Sequence, residues 1–419
     1  MNHTITQDTT VCVVGLGYVG YPLADAFSRH LKTIGYDVDK NKIARIAAQP
    51  NNQILVCSEP SMIHEADVII MAVPTPVTKS KDPDISFIIS AAETVGHHMK
   101  NGAIVVLEST VYPGLTEEIL IPTLEKASSK ICGQDFFVGY SPERINPGDQ
   151  EHALENITKI VAGMNEETVD KLAMLYGLVT NVFIAKDIRT AEAAKVIENV
   201  QRDINIALVN ELSIIFRKME LDTKAVLEAA GTKWNFHNYR PGLVGGHCIP
   251  VDPYYLVYKA EEVGHHPRVI LAGRAINDSM PKEVAQIAIK ELNRADKIIQ
   301  HSNVLILGLT YKENVADTRE SPARELIHEL HEFNIDVYGH DPYLEPSETE
   351  GFGAINVASL GEIDSFMDCI IINSPHSVFN SLTPEDILRI CNENPIVIDV
   401  TGLLAKDHKV KDVCRYFTL

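Results

Sequence analysis

The sequence predicts an α/β fold: two doubly wound parallel sheets joined by a central helical region that contains one long helix. Three observations predict it. Short β-branched runs alternate with longer helical patterns near the N-terminus, a second such series begins near residue 304, and an unbroken amphipathic stretch lies between them. Strands that alternate with helices form parallel sheets buried on both faces, because each crossover helix covers a face.

In chain order, residues 11–14, 33–36, 68–72, 104–107 and 136–138 read as buried strands of the first sheet, with a helix over 22–29 after the first of them. Residues 190–218 contain no Gly or Pro, and Val196, Val200, Ile204, Leu208, Leu212 and Ile215 recur close to every 3.6 residues. At about 1.5 Å per residue this helix runs on the order of 40 Å, more than one compact domain needs. It is expected to connect the two sheet domains and to offer apolar surface for a homodimer; cover by the same chain is the alternative. Residues 304–307, 336–338, 369–372 and 396–399 supply the second sheet, entered through 300–303. The expected domains are 1–188, 189–300 and 301–419.

The 419 residues leave room for two or three domains at about 150 residues each. With 45% hydrophobic residues the chain is not disordered. Lys and Arg number 37 against 57 Asp and Glu, a net charge of −20. That field opposes nonspecific binding of nucleic acid or anionic membrane, so neither partner is expected, and an anionic ligand must be held by local Arg and Lys or by backbone N–H groups. The seven cysteines are odd in number, scattered and free of any C-x-x-C pair, which points to reduced thiols in cytoplasm and to no disulfide framework or metal site. Apolar runs such as 68–73 fall far below the roughly 18 residues that span a bilayer, and the polar start resembles no export signal.

The first motif with chemical content is Gly15-Leu16-Gly17-Tyr18-Val19-Gly20, directly after a strand and opening a helix. Gly15 permits the tight turn, Gly17 lets backbone approach a pyrophosphate, and Gly20 lets helix pack on strand. The diphosphate would sit at the helix N-terminus, where free N–H groups favour negative charge. Asp37 ends the second strand, about 20 residues on, where a carboxylate accepts hydrogen bonds from ribose hydroxyls and repels a 2′-phosphate; the expected cofactor is NAD.

The second motif is Gly245-Gly246-His247-Cys248-Ile249-Pro250-Val251-Asp252-Pro253, a loop that brings backbone and thiol close to a ligand. An aldehyde cannot lose hydride until a nucleophile adds to it. A thiolate adds to give a thiohemiacetal, which loses a second hydride and leaves a thioester for water to cleave. NAD together with a poised Cys248 therefore suggests a four-electron oxidation. The other six cysteines, 12, 57, 132, 369, 391 and 414, read as small buried hydrophobes. His247 either lowers the thiol pKa or stabilises the loop.

Lys195, Asn199 and Asp203 share one face of the long helix, either as an oxyanion-stabilising group or as a solvated stripe. Asp252 either orients water or a proton carrier, or caps the turn before Pro253. Ser141-Pro142-Glu143-Arg144-Ile145-Asn146-Pro147-Gly148 belongs to the carboxyl edge of the first sheet, where Glu143 can act as acid or base and Arg144 can clamp phosphate; an ion pair between them is the alternative. Thr75 in VPTPV, and Ser109 and Thr110 in ESTV, end other strands there and either face the nicotinamide or cap loops. Lys312 and Arg319 take the carboxyl edge of the second sheet, which lacks a full glycine fingerprint and so suits a nucleotide diphosphate held by side chains.

Taken together, GLGYVG, VPTPV, ESTVYPG, SPERINPG, AEAAKVIEN, GLVGGHCIPVDPYYL and TYKENVADTRES resemble the UDP-glucose/UDP-mannose dehydrogenase family, the UDP-sugar 6-dehydrogenases, over nearly the whole chain. The resemblance implies two Rossmann-like domains, the second binding UDP, joined by a helical dimerisation domain. It also implies two-step oxidation of the sugar C6 hydroxyl with two NAD reduced. By motif position Cys248 resembles the nucleophile; Lys195, Asn199 and Asp252 resemble its catalytic neighbours, and Glu143 with Thr110 the group that handles the attacking water. Gly15, Gly17, Tyr18, Val19, Gly20, Asp37, Lys42, Thr75, Ser109, Thr110 and Arg319 match cofactor positions. Glu143, Arg144, Asn146, Lys195, Asn199, Tyr239, Arg240, Gly245 and Lys312 match positions around the UDP-sugar.

Val251 replaces a Lys, and Arg144 a Phe, of the UDP-glucose branch, and both resemble the branch acting on UDP-N-acetylhexosamines. The expected substrate is UDP-N-acetylglucosamine or its galacto epimer, then the manno epimer, with a product suited to surface polysaccharide synthesis. Thr401 stands where the family carries an Arg. The alternatives are a UDP-glucose 6-dehydrogenase, a two-electron 3-hydroxyacid-type dehydrogenase that needs no Cys, and a noncatalytic nucleotide sensor.

Overall fold

The computed structural model describes residues 5–144, 154–363 and 366–419. The chain divides into two compact units, Met1–Asn199 with Tyr254–His266, and Val200–Pro253 with Pro267–Leu419.

The first unit holds β1 (Thr10–Val14), β2 (Lys32–Tyr36), β3 (Leu55–Cys57), β4 (Val68–Met71), β5 (Ile104–Leu107), β6 (Phe137–Tyr140), β7 (Thr158–Gly163) and β8 (Asn181–Ile184). They form one sheet in the order β3-β2-β1-β4-β5-β6-β7-β8. Residues of β1 and β4 are almost wholly buried, as continuous apolar strands between two helical layers must be. Neighbours run parallel except β6 and β7, so the sheet is not purely parallel. The expected strand at 136–138 lies at Phe137–Tyr140. Strands β3, β7 and β8 lie outside the sequence expectation for physical reasons. β3 is three residues long, β8 is an edge whose Phe183 is exposed, and the apolar run of β7 is broken by Lys159, buried only because it meets a counter-charge.

The helix Gly20–Ser28 follows β1 and buries Leu23, Ala24 and Phe27 against the sheet. Because β1 pairs with β2 on one side and β4 on the other, the chain leaves in opposite directions at this point, and a crevice opens at the strands' carboxyl ends.

The second unit holds β9 (Asn303–Leu307), β10 (Asp336–His340), β11 (Ile355–Asn356), β12 (Met367–Ile372), β13 (Cys391–Asp399) and β14 (Arg415–Thr418), all parallel, in the order β11-β10-β9-β12-β13-β14. Side chains alternate between faces: Val304, Ile306 and Ile371 join Val284 and Ala288 in one core, while Leu305, Leu307 and Ile370 join Phe379 and Ile387 in the other. Val284 and Ala288 belong to a 27-residue helix, Arg268–Arg294, interrupted by Pro281, which masks it as one helix in the sequence pattern.

The long helix is Ile188–Lys218, 31 residues and about 46 Å at 1.5 Å per residue. Ile197, Leu208 and Ile215 on it are exposed, while Val196, Val200, Ala207 and Val209 are buried. All seven cysteines are free; Cys12, Cys369 and Cys391 are buried as expected, whereas Cys57, Cys132 and Cys414 are only half-buried.

Candidate active site

In the first unit the glycine turn has the form a dinucleotide requires. Gly15 adopts φ +92°, and a Cβ there would stand 2.7 Å from the Ala72 carbonyl oxygen. A Cβ on Gly20 would lie 1.9 Å from the Gly15 carbonyl oxygen, so the helix can start against the turn only without a side chain. Gly17 differs: a Cβ there would meet nothing within 4 Å, which leaves its backbone open to a ligand. The residue before the helix, Val19, gives no side-chain cap, while the Tyr21 and Leu23 N–H groups already bond the Gly17 and Val19 carbonyls at 3.0 and 3.4 Å.

Asp37 follows β2 and is buried. Its Oδ2 accepts hydrogen bonds from the Leu16 N–H at 2.8 Å and from Lys42 Nζ at 2.7 Å, and its Oδ1 accepts from Asp39 N–H at 2.9 Å. Burial pushes its pKa upward, but Lys42 and the two amides outweigh burial and hold the carboxyl below its usual range. The acid is thus an anion tied to the glycine turn, with a cation beside it. These residues fit NAD: a cradle open at Gly17, a fixed carboxylate for ribose hydroxyls, and a helix start for the diphosphate.

At the carboxyl ends of β4 and β5, Ser109 donates from Oγ to the Val73 carbonyl at 2.6 Å, so its hydroxyl braces the VPTPV loop. Thr75 in that loop and Thr110 next to Ser109 are half-buried. After β6, Glu143 is buried, and its Oε1 accepts from the Arg144 N–H. Arg144 does not pair with Glu143. Its Nη2 reaches Glu198 Oε1 at 2.8 Å, and its Nη1 donates to the Thr158 carbonyl at 2.6 Å, which ties the loop to the long helix. Glu143 instead lies 3.6 Å from Lys159 Nζ. Asn146 falls outside the described residues.

Lys195 is buried and Asn199 half-buried on the long helix. Asp203, the third member of that face, is no solvated stripe. In the second unit it is fully buried, bonded to Arg274 Nη1 at 2.5 Å and to Asn277 Nδ2 at 2.8 Å, and so serves the packing of two helices.

Cys248 is half-buried. Its carbonyl accepts from the Val251 and Asp252 N–H groups at 3.1 and 2.8 Å, so the thiol sits on a turn that leads into the helix Asp252–Glu262. Asp252 is buried. Close packing explains the preceding glycines: a Cβ on Gly245 would stand 2.7 Å from Pro322 Cδ, 2.8 Å from the Glu320 carbonyl oxygen and 2.9 Å from Tyr311 Cβ, and one on Gly246, at φ +88°, would strike the Tyr311 ring at 2.7 Å. His247 meets that ring edge-on with centroids 6.3 Å apart. Tyr311 is raised in pKa by burial first, then by Asp317 and Cys248, which puts this ring in the thiol's electrostatic surroundings.

The second sheet repeats the first turn in outline. Gly308 has φ +81° and donates to His340 O at 2.9 Å, as Gly15 donates to Tyr36 O at 2.9 Å. Asp341 Oδ2 accepts from Leu309 and Thr310 N–H at 2.7 and 3.0 Å, as Asp37 accepts from Leu16. Here, however, buried His376 occupies the acid at 3.0 Å. Lys312 follows on this loop, its carbonyl accepting from Thr310 Oγ1 at 3.0 Å. Arg319 forks onto Asp317, with Nε 2.9 and 3.2 Å from the two carboxylate oxygens. Burial pushes Asp317 up, and Arg319 brings it below its usual range. Tyr239, whose hydroxyl meets Gln201 at 3.2 Å, lines a cavity of about 400 Å³ with Arg240, Lys224 and Thr401. Arg240 therefore offers a guanidinium in the cavity that Thr401 also lines.

Sequence reasoning assigned no role to Lys159, Tyr176 or Glu108. The signal for Lys159 was a single charge inside a β-branched run, which demands a buried partner.

Three family descriptions match consecutive stretches: the UDP-glucose/GDP-mannose dehydrogenase NAD binding domain over residues 46–180, the central domain over 189–279 and the UDP binding domain over 305–406. Protein CapL of Staphylococcus aureus is 46% identical over 96% of this chain and 97% of its own. The UDP-N-acetyl-D-glucosamine 6-dehydrogenase of Pseudomonas aeruginosa is 42% identical over 96% of this chain and 98% of its own. Among solved structures, the UDP-D-ManNAc dehydrogenase from Pyrococcus horikoshii superposes with a TM-score of 0.88 at 28% identity, covering 98% of this chain and 99% of that one. The chain belongs to the UDP-glucose/GDP-mannose dehydrogenase family and is an NAD-dependent UDP-sugar dehydrogenase.

Proposed function

We propose that this chain oxidises the C6 hydroxyl of a UDP-N-acetylhexosamine to a carboxylate, reducing two NAD per sugar. UDP-N-acetylglucosamine or its galacto epimer is the preferred substrate and the manno epimer the next. The observation that carries the reading is Cys248, a half-buried thiol on a glycine-built turn, in a chain 42% identical to an enzyme named for UDP-N-acetyl-D-glucosamine and 28% identical to one named for the manno sugar.

NAD, held by the Gly15–Gly20 turn and Asp37, supplies the hydride acceptor when bound. Cys248 adds its thiolate to the C6 aldehyde, forming a C–S bond and a thiohemiacetal. Loss of a second hydride and the hydroxyl proton leaves a thioester. Water then attacks the carbonyl carbon, its proton passes to Glu143 with Thr110 orienting the water, the C–S bond breaks and the thiolate returns. Lys195 and Asn199 stabilise the oxyanion, and Asp252 orients the water or a proton carrier. Arg144, Asn146, Tyr239, Arg240, Gly245 and Lys312 hold the UDP-sugar; Lys42, Thr75, Ser109 and Arg319 complete the cofactor contacts.

The family stretches at 46–180, 189–279 and 305–406 support domains at 1–188, 189–300 and 301–419. Exposed Ile197, Leu208 and Ile215 support a homodimer through the long helix. Among the described residues no helix is long and apolar enough to cross a membrane; a cytoplasmic enzyme making surface polysaccharide precursors is the setting we assign.

The test is NADH formed per sugar with each of the three epimers and with UDP-glucose. Two NADH per UDP-N-acetylhexosamine supports the reading. One NADH supports a simple two-electron dehydrogenase, and none a nucleotide sensor. Cys248→Ser should stall the second oxidation, because a hydroxyl is a far poorer nucleophile than a thiolate at neutral pH.

A further inference from the structure

The carboxyl edge of β5 and β6 holds more ionisable groups than this chemistry uses. Glu108 follows β5, Glu143 follows β6, Lys159 lies on β7, and Tyr176 ends the helix Glu166–Tyr176. Glu108, Lys159 and Tyr176 are fully buried. Lys159 Nζ is ion-paired to Glu108 Oε2, donates to the Pro142 carbonyl at 2.9 Å, and stands 3.6 Å from Glu143 Oε2. The Tyr176 hydroxyl donates to the other oxygen of Glu108 at 2.6 Å. An ammonium has three donors; Glu108 and Pro142 take two, and Glu143 Oε2 lies at ion-pair distance, 3.6 Å.

Two carboxylates around one ammonium is a costly arrangement for a protein interior, and apolar residues of the same volume would pack there at less cost. What the charges add is direction. Glu108, itself held from the far side by Tyr176, locks the ammonium in place. The ammonium in turn is hydrogen-bonded to the Pro142 backbone carbonyl and stands at ion-pair distance, 3.6 Å, from the Glu143 carboxylate.

We propose that Lys159 and Glu108 are positioning residues for Glu143, fixing its carboxylate where it takes the proton of the water that cleaves the Cys248 thioester. In that step the water oxygen bonds to the carbonyl carbon, Glu143 receives the proton, and the C–S bond breaks to release the thiolate. The inference rests on the reading of Glu143 as base, and hydroxylamine separates the two. Its uncharged nitrogen attacks a thioester without a base, giving a hydroxamate and free Cys248.

The experiment measures steady-state NADH formation with UDP-N-acetylglucosamine and NAD, with and without hydroxylamine. The variants are Glu143→Gln, Lys159→Arg and the pair Lys159→Met/Glu108→Gln, which removes both charges of the ion pair together and takes from Glu143 the ammonium 3.6 Å away. Glu143→Gln should slow turnover and be restored by hydroxylamine. The paired variant should lose on the order of tenfold to hundredfold in kcat, as expected for impaired general-base catalysis. Its KM should stay within about threefold, and hydroxylamine should restore it. Lys159→Arg should retain most of the activity. A paired variant that is slow but not restored, or not slow at all, overturns the inference while leaving Glu143 as base. A Glu143→Gln enzyme that is not slowed, or not restored, overturns the base reading and the inference with it.

Discussion

Lys159 and Glu108 form an ion pair in which neither side chain touches solvent. Removing one partner from such a pair strands the other charge, which costs about 3–5 kcal/mol, whereas replacing both costs far less. Urea denaturation should therefore show Lys159→Met strongly destabilised and Lys159→Met/Glu108→Gln much closer to wild type. Equal losses in the two would refute the pairing.

Glu108 also sets a pH dependence. Burial pushes its pKa up to about 7, with Lys159 opposing and Glu143 adding to the shift, against about 4.3 in an unfolded chain. Between these values the native state holds a proton that the unfolded state has released. Its stabilising contribution is thus full below the unfolded pKa and lost as pH rises through the folded one. The urea midpoint of Glu108→Gln should fall less steeply than that of wild type between pH 5 and pH 7. Parallel curves would count against it.

Gly17 tests the dinucleotide cradle without disturbing the fold. A Cβ there meets no atom of the chain within 4 Å, so Gly17→Ala should leave the melting temperature nearly unchanged. Its KM for NAD should rise roughly tenfold, about 1.4 kcal/mol. A lower melting temperature with unchanged KM would contradict the open cradle.

Asp37 carries the choice between NAD and NADP. Asp37→Asn removes the anion but keeps Lys42, now free of the ion pair at 2.7 Å, to meet a 2′-phosphate. The ratio of kcat/KM for NAD over NADP should fall roughly tenfold to a hundredfold, the scale of one charged hydrogen bond. An unchanged ratio would show that selectivity lies elsewhere.

Gly246→Ala should distort the cysteine loop, because φ +88° disfavours a side chain and the added carbon would stand 2.7 Å from the Tyr311 ring. Displacing a reacting group by about 1 Å can cost on the order of a hundredfold in rate. The expected result is a large fall in kcat, with NAD affinity, read by fluorescence titration, unchanged. A wild-type kcat would remove the loop from the chemistry.

Much of this protein was legible from local pattern. The glycine turn, Asp37 and the buried strands were legible from residue type and spacing along the chain, although Gly15 is pressed by the Ala72 carbonyl and Asp37 is held by the Leu16 N–H. The Cys248 loop was legible in the same way, since two glycines and two prolines constrain a short segment wherever it lies. Partner choice among charges was not. Arg144 pairs with Glu198 rather than its neighbour Glu143, Asp203 is buried by Arg274, 71 residues away, and Lys159 meets Glu108, 51 residues away. Tyr239, Arg240 and Thr401 share a cavity although the last is far removed in sequence. Periodicity determines which face a side chain takes, but only the crossing of strands and helices decides which charge stands opposite. In a low-dielectric interior that opposition decides whether a buried group is tolerated at all.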